Sequence, residues 1–199
     1  MKIVLRGGVE LDDPLGVTIG FVEAYPGSDS RDSRPSSFDE SDLRHANRGG
    51  ARISAAQIAA VLERRGRIEG ALRSIAPDAS LADAEESIPW RPLTRLFDAF
   101  ADISGIGFSK MTKALHPKRP ALIPLLDSVV QAYLAAADEP ASFGERATTL
   151  LRSYKQDLDR NLAALREIQD DLVSHGYRSL SEVRILDVLV WSAYTPARR

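Results

Sequence analysis

"SGIGFSKMTKALHPKRPALIPLLDSVV", residues 104–130, decides how the rest of the chain is read. Ahead of it, "RPLTRLFDAFADI" (91–103) carries Leu93, Leu96, Phe97 and Phe100 at three-to-four spacing. Behind the Gly105-Ile106-Gly107 turn, "FSKMTKAL" (108–115) has helical character again. Two helices joined by Gly-x-Gly predict a helix-hairpin-helix over about residues 93–116. Glycines in such a turn permit positive φ and leave backbone N–H groups open to an anion, while the next helix offers its positive dipole end. Gly105 to Ser109 is therefore a candidate phosphate cradle, although Gly-x-Gly between helices also serves as a plain tight connection.

Between Ile103 and Leu126 stand Lys110, Lys113, Lys118, Arg119 and His116 with no Asp or Glu, in a chain of net charge -2. The local field is positive. Lys110 and Lys113, three residues apart on one helical face, extend the cradle if the turn holds a phosphate, and otherwise form a solvated face. Asp127 ends the stretch just before "SVVQAYL", where an aspartate is a good helix N-cap and equally a carboxylate held rigidly beside whatever the hairpin grips.

Outward from this stretch the pattern is helical from residue 38 on. Asp39 is the expected cap of "FDESDLRHAN", which stops at Gly49-Gly50, and Ser54 caps "ISAAQIAAVLERRG", with Ile58, Val61 and Leu62 on one face and a break or bend at Gly66. A loop spans Pro77 to Pro89. Residues 144–173 read as a long amphipathic helix and "SLSEVRILDVLVWSAY" as a final buried one. Residues 26–37, "PGSDSRDSRPSS", read as a loop or linker that sets off a short N-terminal piece, in which "KIVL" suits an edge strand and "VTIGFVEAY" either a strand or a helix. The expected division is thus 1–37 as N-terminal segment and linker, and 38–199 as one all-α domain of roughly seven to nine helices.

Composition narrows the class. At 199 residues, 44% hydrophobic and 27% charged, the chain can bury a real core and is not of disordered type. No apolar run is long enough to span a membrane, and charge comes too early for a secretion signal, so a soluble cytoplasmic protein without membrane contact is expected. Zero cysteines exclude disulfides, thiolate zinc sites and iron–sulfur clusters, and His45, His116 and His175 lack metal-ligand spacing. No metal or cofactor is expected. The slightly acidic balance excludes indiscriminate coating of nucleic acid, so DNA binding has to come from a local patch.

"ISGIGFSKMTKAL" with "PALIPLLDSVV" resembles the core of the helix-hairpin-helix DNA glycosylase superfamily, in which an apolar-x-Gly-x-Gly hairpin is followed by a catalytic aspartate; the run "PLLDSVV" is most similar to the adenine-excising branch. The likeness covers residues 100–130 closely. It implies Asp127 as the catalytic carboxylate, and Gly105, Gly107, Ser109, Lys110 and Lys113 as the DNA phosphate grip. Ser109 stands where bifunctional members keep a Schiff-base lysine, which implies hydrolysis without strand cleavage. No residue matches the glutamate that acts as general acid in adenine excision. Along its whole length the chain also resembles an uncharacterised, largely actinobacterial bacterial family.

N-glycosidic hydrolysis passes through an oxocarbenium-like sugar, so a carboxylate near the anomeric carbon is required, together with a pocket for the extruded base. Asp127 supplies the first. Trp90, Phe108 and Trp191 are candidate stacking surfaces, each equally at home in a core. Arg184, Asp187 and Trp191 share one stripe of the last helix, as a buried ion pair or as pocket lining. Arg44, Asn47, Arg48 and Arg52 form a second polar cluster that touches DNA or staples helix ends. The expected activity is monofunctional DNA glycosylase; the alternatives are a non-catalytic helix-hairpin-helix module that binds DNA or a protein, and a structural interaction protein with solvated charges.

Overall fold

Short polar side chains decide where the helices begin. In the computed structural model, which describes residues 2–26, 34–134 and 141–195, Asp13 accepts from the Gly16 N–H and opens α1 (Pro14–Ala24). Asp39 and Ser54 form capping boxes with Asp42 and Gln57 at the starts of α2 (Glu40–Arg48) and α3 (Ala55–Leu62). Ser142 and Ser181 cap α8 (Phe143–Ser174) and α9 (Glu182–Tyr194). Between them run α4 (Arg65–Arg73), α5 (Trp90–Asp98), α6 (Phe108–Leu115) and α7 (Ser128–Leu134). With one antiparallel pair, β1 (Ile3–Val4) and β2 (Glu10–Leu11), the described residues form an all-α fold of nine α-helices.

Two expectations shift. "VTIGFVEAY" is helical, as α1, and the break after α3 falls at Glu63–Arg64, leaving Gly66 inside the first turn of α4. The Arg64 guanidinium donates to the Ala101 carbonyl, which ties the bend to the end of α5. The linker reading of residues 26–37 rests mostly on 27–33, and the helix expected behind Asp127, "SVVQAYLAAA", ends on 135–137; both stretches lie outside the described residues.

The 32-residue α8, roughly 48 Å long at 1.5 Å per residue, is the spine. One face takes α5 and the other α9, and α9 packs in turn on α1 and α7. The N-terminal piece, expected as a small appendage, belongs to the same core: Ile3 and Leu5 are fully buried. Asn161 of α8 clasps Val4 from both sides, accepting its N–H at 2.8 Å and donating to its carbonyl at 3.0 Å. Arg6 reaches buried Asp157 and the Ser153 carbonyl, and the Tyr194 hydroxyl donates to the Arg6 carbonyl at 2.9 Å.

The α5–α8 crossing depends on one glycine. A Cβ on Gly144 would sit 2.3 Å from the Thr94 carbonyl oxygen, and the Gly144 N–H already donates to Asp98 at 2.6 Å. Gly144→Ala will therefore force the first turn of α8 off α5. Its expected cost is about 1–3 kcal/mol of overpacking, read as a lowered urea midpoint; an unchanged midpoint would show that the crossing can open freely.

Candidate functional site

Asp127 stands where the chain leaves an irregular segment and enters α7. Its Oδ1 accepts the N–H groups of Val129 and Val130, each at 3.0 Å, so it is a helix cap. Its Oδ2 makes no hydrogen bond among the described residues, and Asp127 lines a cavity of about 560 Å³. The segment is fixed from three sides: the Leu125 N–H donates to Asp187, the Leu126 N–H to Thr112, and Gln131 donates to the Leu126 carbonyl. The carboxylate thus has little freedom to move.

Asp187, one helix away on α9, is the second carboxyl of this cavity. It is 3% exposed. Burial pushes its carboxyl up to about 7, and the nearby negative charge of Asp127 adds to this; Arg184, the Leu125 N–H and the Tyr154 hydroxyl pull the other way. Tyr154 has one proton and two neighbours, the Val183 carbonyl at 2.7 Å and Asp187 Oδ1 at 3.1 Å.

This shift has a sign. The native state holds a proton that the unfolded state, with an ordinary carboxylate near 3.8, has lost, so between about pH 4 and 7 stability falls as pH rises. Asp187→Asn imitates the neutral acid and should remove this component, which amounts to at most about 4 kcal/mol from a three-unit shift. Denaturant melts of both proteins at pH 4 to 8 measure it; parallel curves would mean that Asp187 is ionised throughout.

Around the two acids the wall is mixed. Arg184 lies 3.9 Å from Asp187 Oδ2 and stacks its guanidinium over Phe21 of α1 at 4.6 Å. Trp191, 46% exposed, and Tyr25 stand on the outer part of the lining. The opposite wall is the end of α2 (His45, Arg48, Gly49) and the second half of α6 with its following turn (Lys113, His116). His116 donates from Nδ1 to the Ile123 carbonyl at 2.7 Å, which holds its ring against the irregular segment.

Of the residues singled out in the sequence, Asp127, Arg184, Asp187, Trp191, Lys113, His116 and Arg48 thus meet at one cavity. The others do not. Trp90 lies under Arg152, 4.0 Å from the guanidinium, and Phe108 packs on Phe143 at 4.7 Å. Gly105, with φ +73°, and Gly107, the cap of α6, form the predicted turn at the far end of α6, roughly 9 Å along the helix from Lys113 at 1.5 Å per residue. Ser109 sits in the first turn beside them, partly buried. Lys110 donates to Gln57 at 2.8 Å, and Gln57 in turn to the Ser104 carbonyl, so one hairpin cation is spent inside the protein.

Two cations counted in the basic stretch are not on the surface. Lys118 is 1% exposed and pairs with Asp42 at 2.8 Å. Arg119 is fully buried and donates to the carbonyls of Leu72, Ile75, Pro35 and Lys118 at 2.6–2.8 Å. Both close helix ends and hold the segment at 34–35 down. In the second polar cluster, Asn47 bonds both backbone groups of Ile53, Arg44 pairs with Glu40, and Arg52 takes a positive φ of 55°. Phe21, Tyr25 and His45 of the cavity were not expected, because each comes from a helix whose approach to α9 has no local signature.

The described residues form an all-helical protein with a cavity of about 560 Å³ lined by two carboxyls, Asp127 and Asp187, and by the cations Arg48, Lys113 and Arg184. No group of three or more His, Asp or Glu among the described residues is arranged to hold a metal ion, and no described helix is long and apolar enough to cross a membrane. The chain belongs to a family of unknown function, DUF6308, which it matches over residues 12–194. No curated protein and no solved structure matches it.

Proposed function

We propose that this protein is a monofunctional DNA glycosylase-like enzyme that hydrolyses the N-glycosidic bond of a damaged or modified base in DNA. The observation that carries this reading is the pairing of Asp127, which lines the cavity and keeps one carboxylate oxygen out of the helix cap, and Asp187, whose carboxyl is pushed up to about 7 at the same cavity. Two acids whose environments separate their proton affinities are what glycosidic hydrolysis asks for. Asp127 stabilises the oxocarbenium-like sugar and takes a proton from the attacking water. The hydroxyl bonds to the anomeric carbon as the C–N bond breaks, and the electron pair leaves with the base, which Asp187 protonates. Asp187 stands in for the general acid that has no match in the sequence pattern.

The aromatic rings of Phe21, Tyr25 and Trp191 supply faces for an extruded base. The Gly105–Gly107 turn, where Gly107 is exposed and a Cβ on it would meet nothing within 4 Å, offers a flanking phosphate the open start of α6. This open hairpin also favours a second reading, a DNA-binding module without catalysis.

Incubation with duplexes carrying a panel of normal, damaged and modified bases, followed by detection of abasic sites, tests the proposal. Base release that falls as pH rises through about 7 is expected, as Asp187 loses its proton. Salt-sensitive DNA binding with no abasic sites on any substrate would leave the second reading in place.

A further inference from the structure

Three side chains that can donate stand together in the cavity lining: His45 and Arg48, in the last turn of α2, and Lys113 of α6. The Arg48 guanidinium, which can only donate, lies 3.0 Å from His45 Nδ1, so that nitrogen accepts and the ring's proton is on Nε2. His45 thus presents an N–H, not a lone pair. Lys113 gives one of its three protons to the Gly49 carbonyl at 3.0 Å. Neither Arg48 nor Lys113 forms an ion pair among the described residues, and the acids that line the cavity among those residues, Asp127 and Asp187, belong to the start of α7 and to α9.

Helix polarity accounts for part of this, since cations suit the negative end of α2. It accounts for the Lys113–Gly49 contact. It does not explain why Arg48 and Lys113 both line a cavity without a carboxylate partner among the described residues. An anion with several acceptor oxygens is served by all three side chains.

We infer that Arg48, Lys113 and His45 form a phosphate subsite at the mouth of the cavity, which holds the phosphate of the nucleotide whose base enters the pocket. The inference deepens the glycosylase reading and rests on it only for the claim that this phosphate belongs to DNA. It moves the principal phosphate contact from the hairpin to the end of α2. The two places, roughly 9 Å apart along α6, are separated by between two and three stacked nucleotide steps of about 3.4 Å, so a strand following α6 can occupy both.

The test measures binding, not catalysis. A fluorescein-labelled duplex with one central tetrahydrofuran abasic analogue is titrated by anisotropy at 50–200 mM salt, a range over which phosphate contacts declare themselves. The double variant Arg48→Gln, Lys113→Gln should bind at least about 10-fold more weakly, with a salt slope shallower by about two contacts. Arg44→Gln, one turn earlier on α2 and paired with Glu40, should bind like the parent protein. Wild-type affinity and slope in the double variant would overturn the subsite. Should that variant fail to fold, methylphosphonate replacement of the phosphates flanking the analogue must weaken binding to the unaltered protein by a similar factor; no loss at any flanking position also overturns it.

A second arm separates the source of the phosphate. Titration with 2′-deoxynucleoside 5′-monophosphates, against the matching nucleosides, reads whether a free nucleotide is held. Monophosphate binding that depends on Arg48 and Lys113, without duplex binding, keeps the subsite and removes DNA from the proposed function. Duplex binding that depends on these residues, without any base release, keeps the subsite and removes the hydrolase. Binding of neither probe by the parent protein overturns the subsite itself.

Discussion

Asp127→Asn is expected to lower base release by about 10³-fold while leaving the melting temperature within a degree or two of the parent protein. The two halves of that expectation come from different oxygens. Oδ1 holds the start of α7 through the N–H groups of Val129 and Val130, and asparagine is as good an N-cap as aspartate. The negative charge beside the cavity is what disappears, and removal of a charge that stabilises a developing cation or activates water costs about 10²–10⁴ in rate. Asp127→Ala loses both functions and should add about 1 kcal/mol of instability. A drop in activity for Ala with none for Asn would assign Asp127 to the helix alone. Activity assays and thermal melts on the two variants decide between these outcomes.

The largest effect on stability is expected at Arg119. Its guanidinium is fully buried and donates to carbonyls that include Leu72 and Ile75 at the end of α4. They lie at and just past the last turn of α4, where the Ile75 N–H also donates to the Leu72 carbonyl, so the guanidinium adds a buried cap made by a side chain 44 to 47 residues away. Arg119→Met fills similar volume but leaves the acceptors buried; with each charge-assisted bond worth about 1.5–3 kcal/mol, the loss should be at least about 3 kcal/mol, or roughly 6–12 °C in a chain of this size. Arg119→Lys should recover little, because an ammonium lacks the planar fork that reaches separate carbonyls at once. A melting temperature unchanged in Arg119→Met would mean that water reaches the end of α4.

Local signals carried well. The capping boxes at Asp39 and Ser54, the hairpin with its two glycines and the start of α9 after Ser181 are each written in a few adjacent residues, and each appears where those residues place it. α1 was harder to read, because Val17, Ile19, Phe21 and Val22 put apolar side chains around much of its circumference and give neither period clearly. Lys118 and Arg119 misled because cations next to prolines ordinarily face water. Here Asp42 and the open carbonyls of α4 receive them. The stripe Arg184, Asp187, Trp191 was visible on one helix, but its meeting with Asp127 was not: the Leu125–Asp187 hydrogen bond spans 62 residues. The second acid was therefore in view in the sequence without its partner.

The floor of the cavity is cut from the same face of α9 that fills the protein's centre, since every residue from Val183 to Val190 is buried. A substitution that reshapes the floor must also be absorbed by α1, α7 and α8, whereas Phe21, Tyr25 and His45 are partly open to solvent and can vary at little cost to the whole. Diversification within DUF6308 would accordingly proceed by exchange on the α1 and α2 side, with α9 inherited as a fixed anvil. On the proposed function, members that differ at residues 21, 25 and 45 but agree over 183–190 would be expected to share a reaction and divide its substrates among themselves.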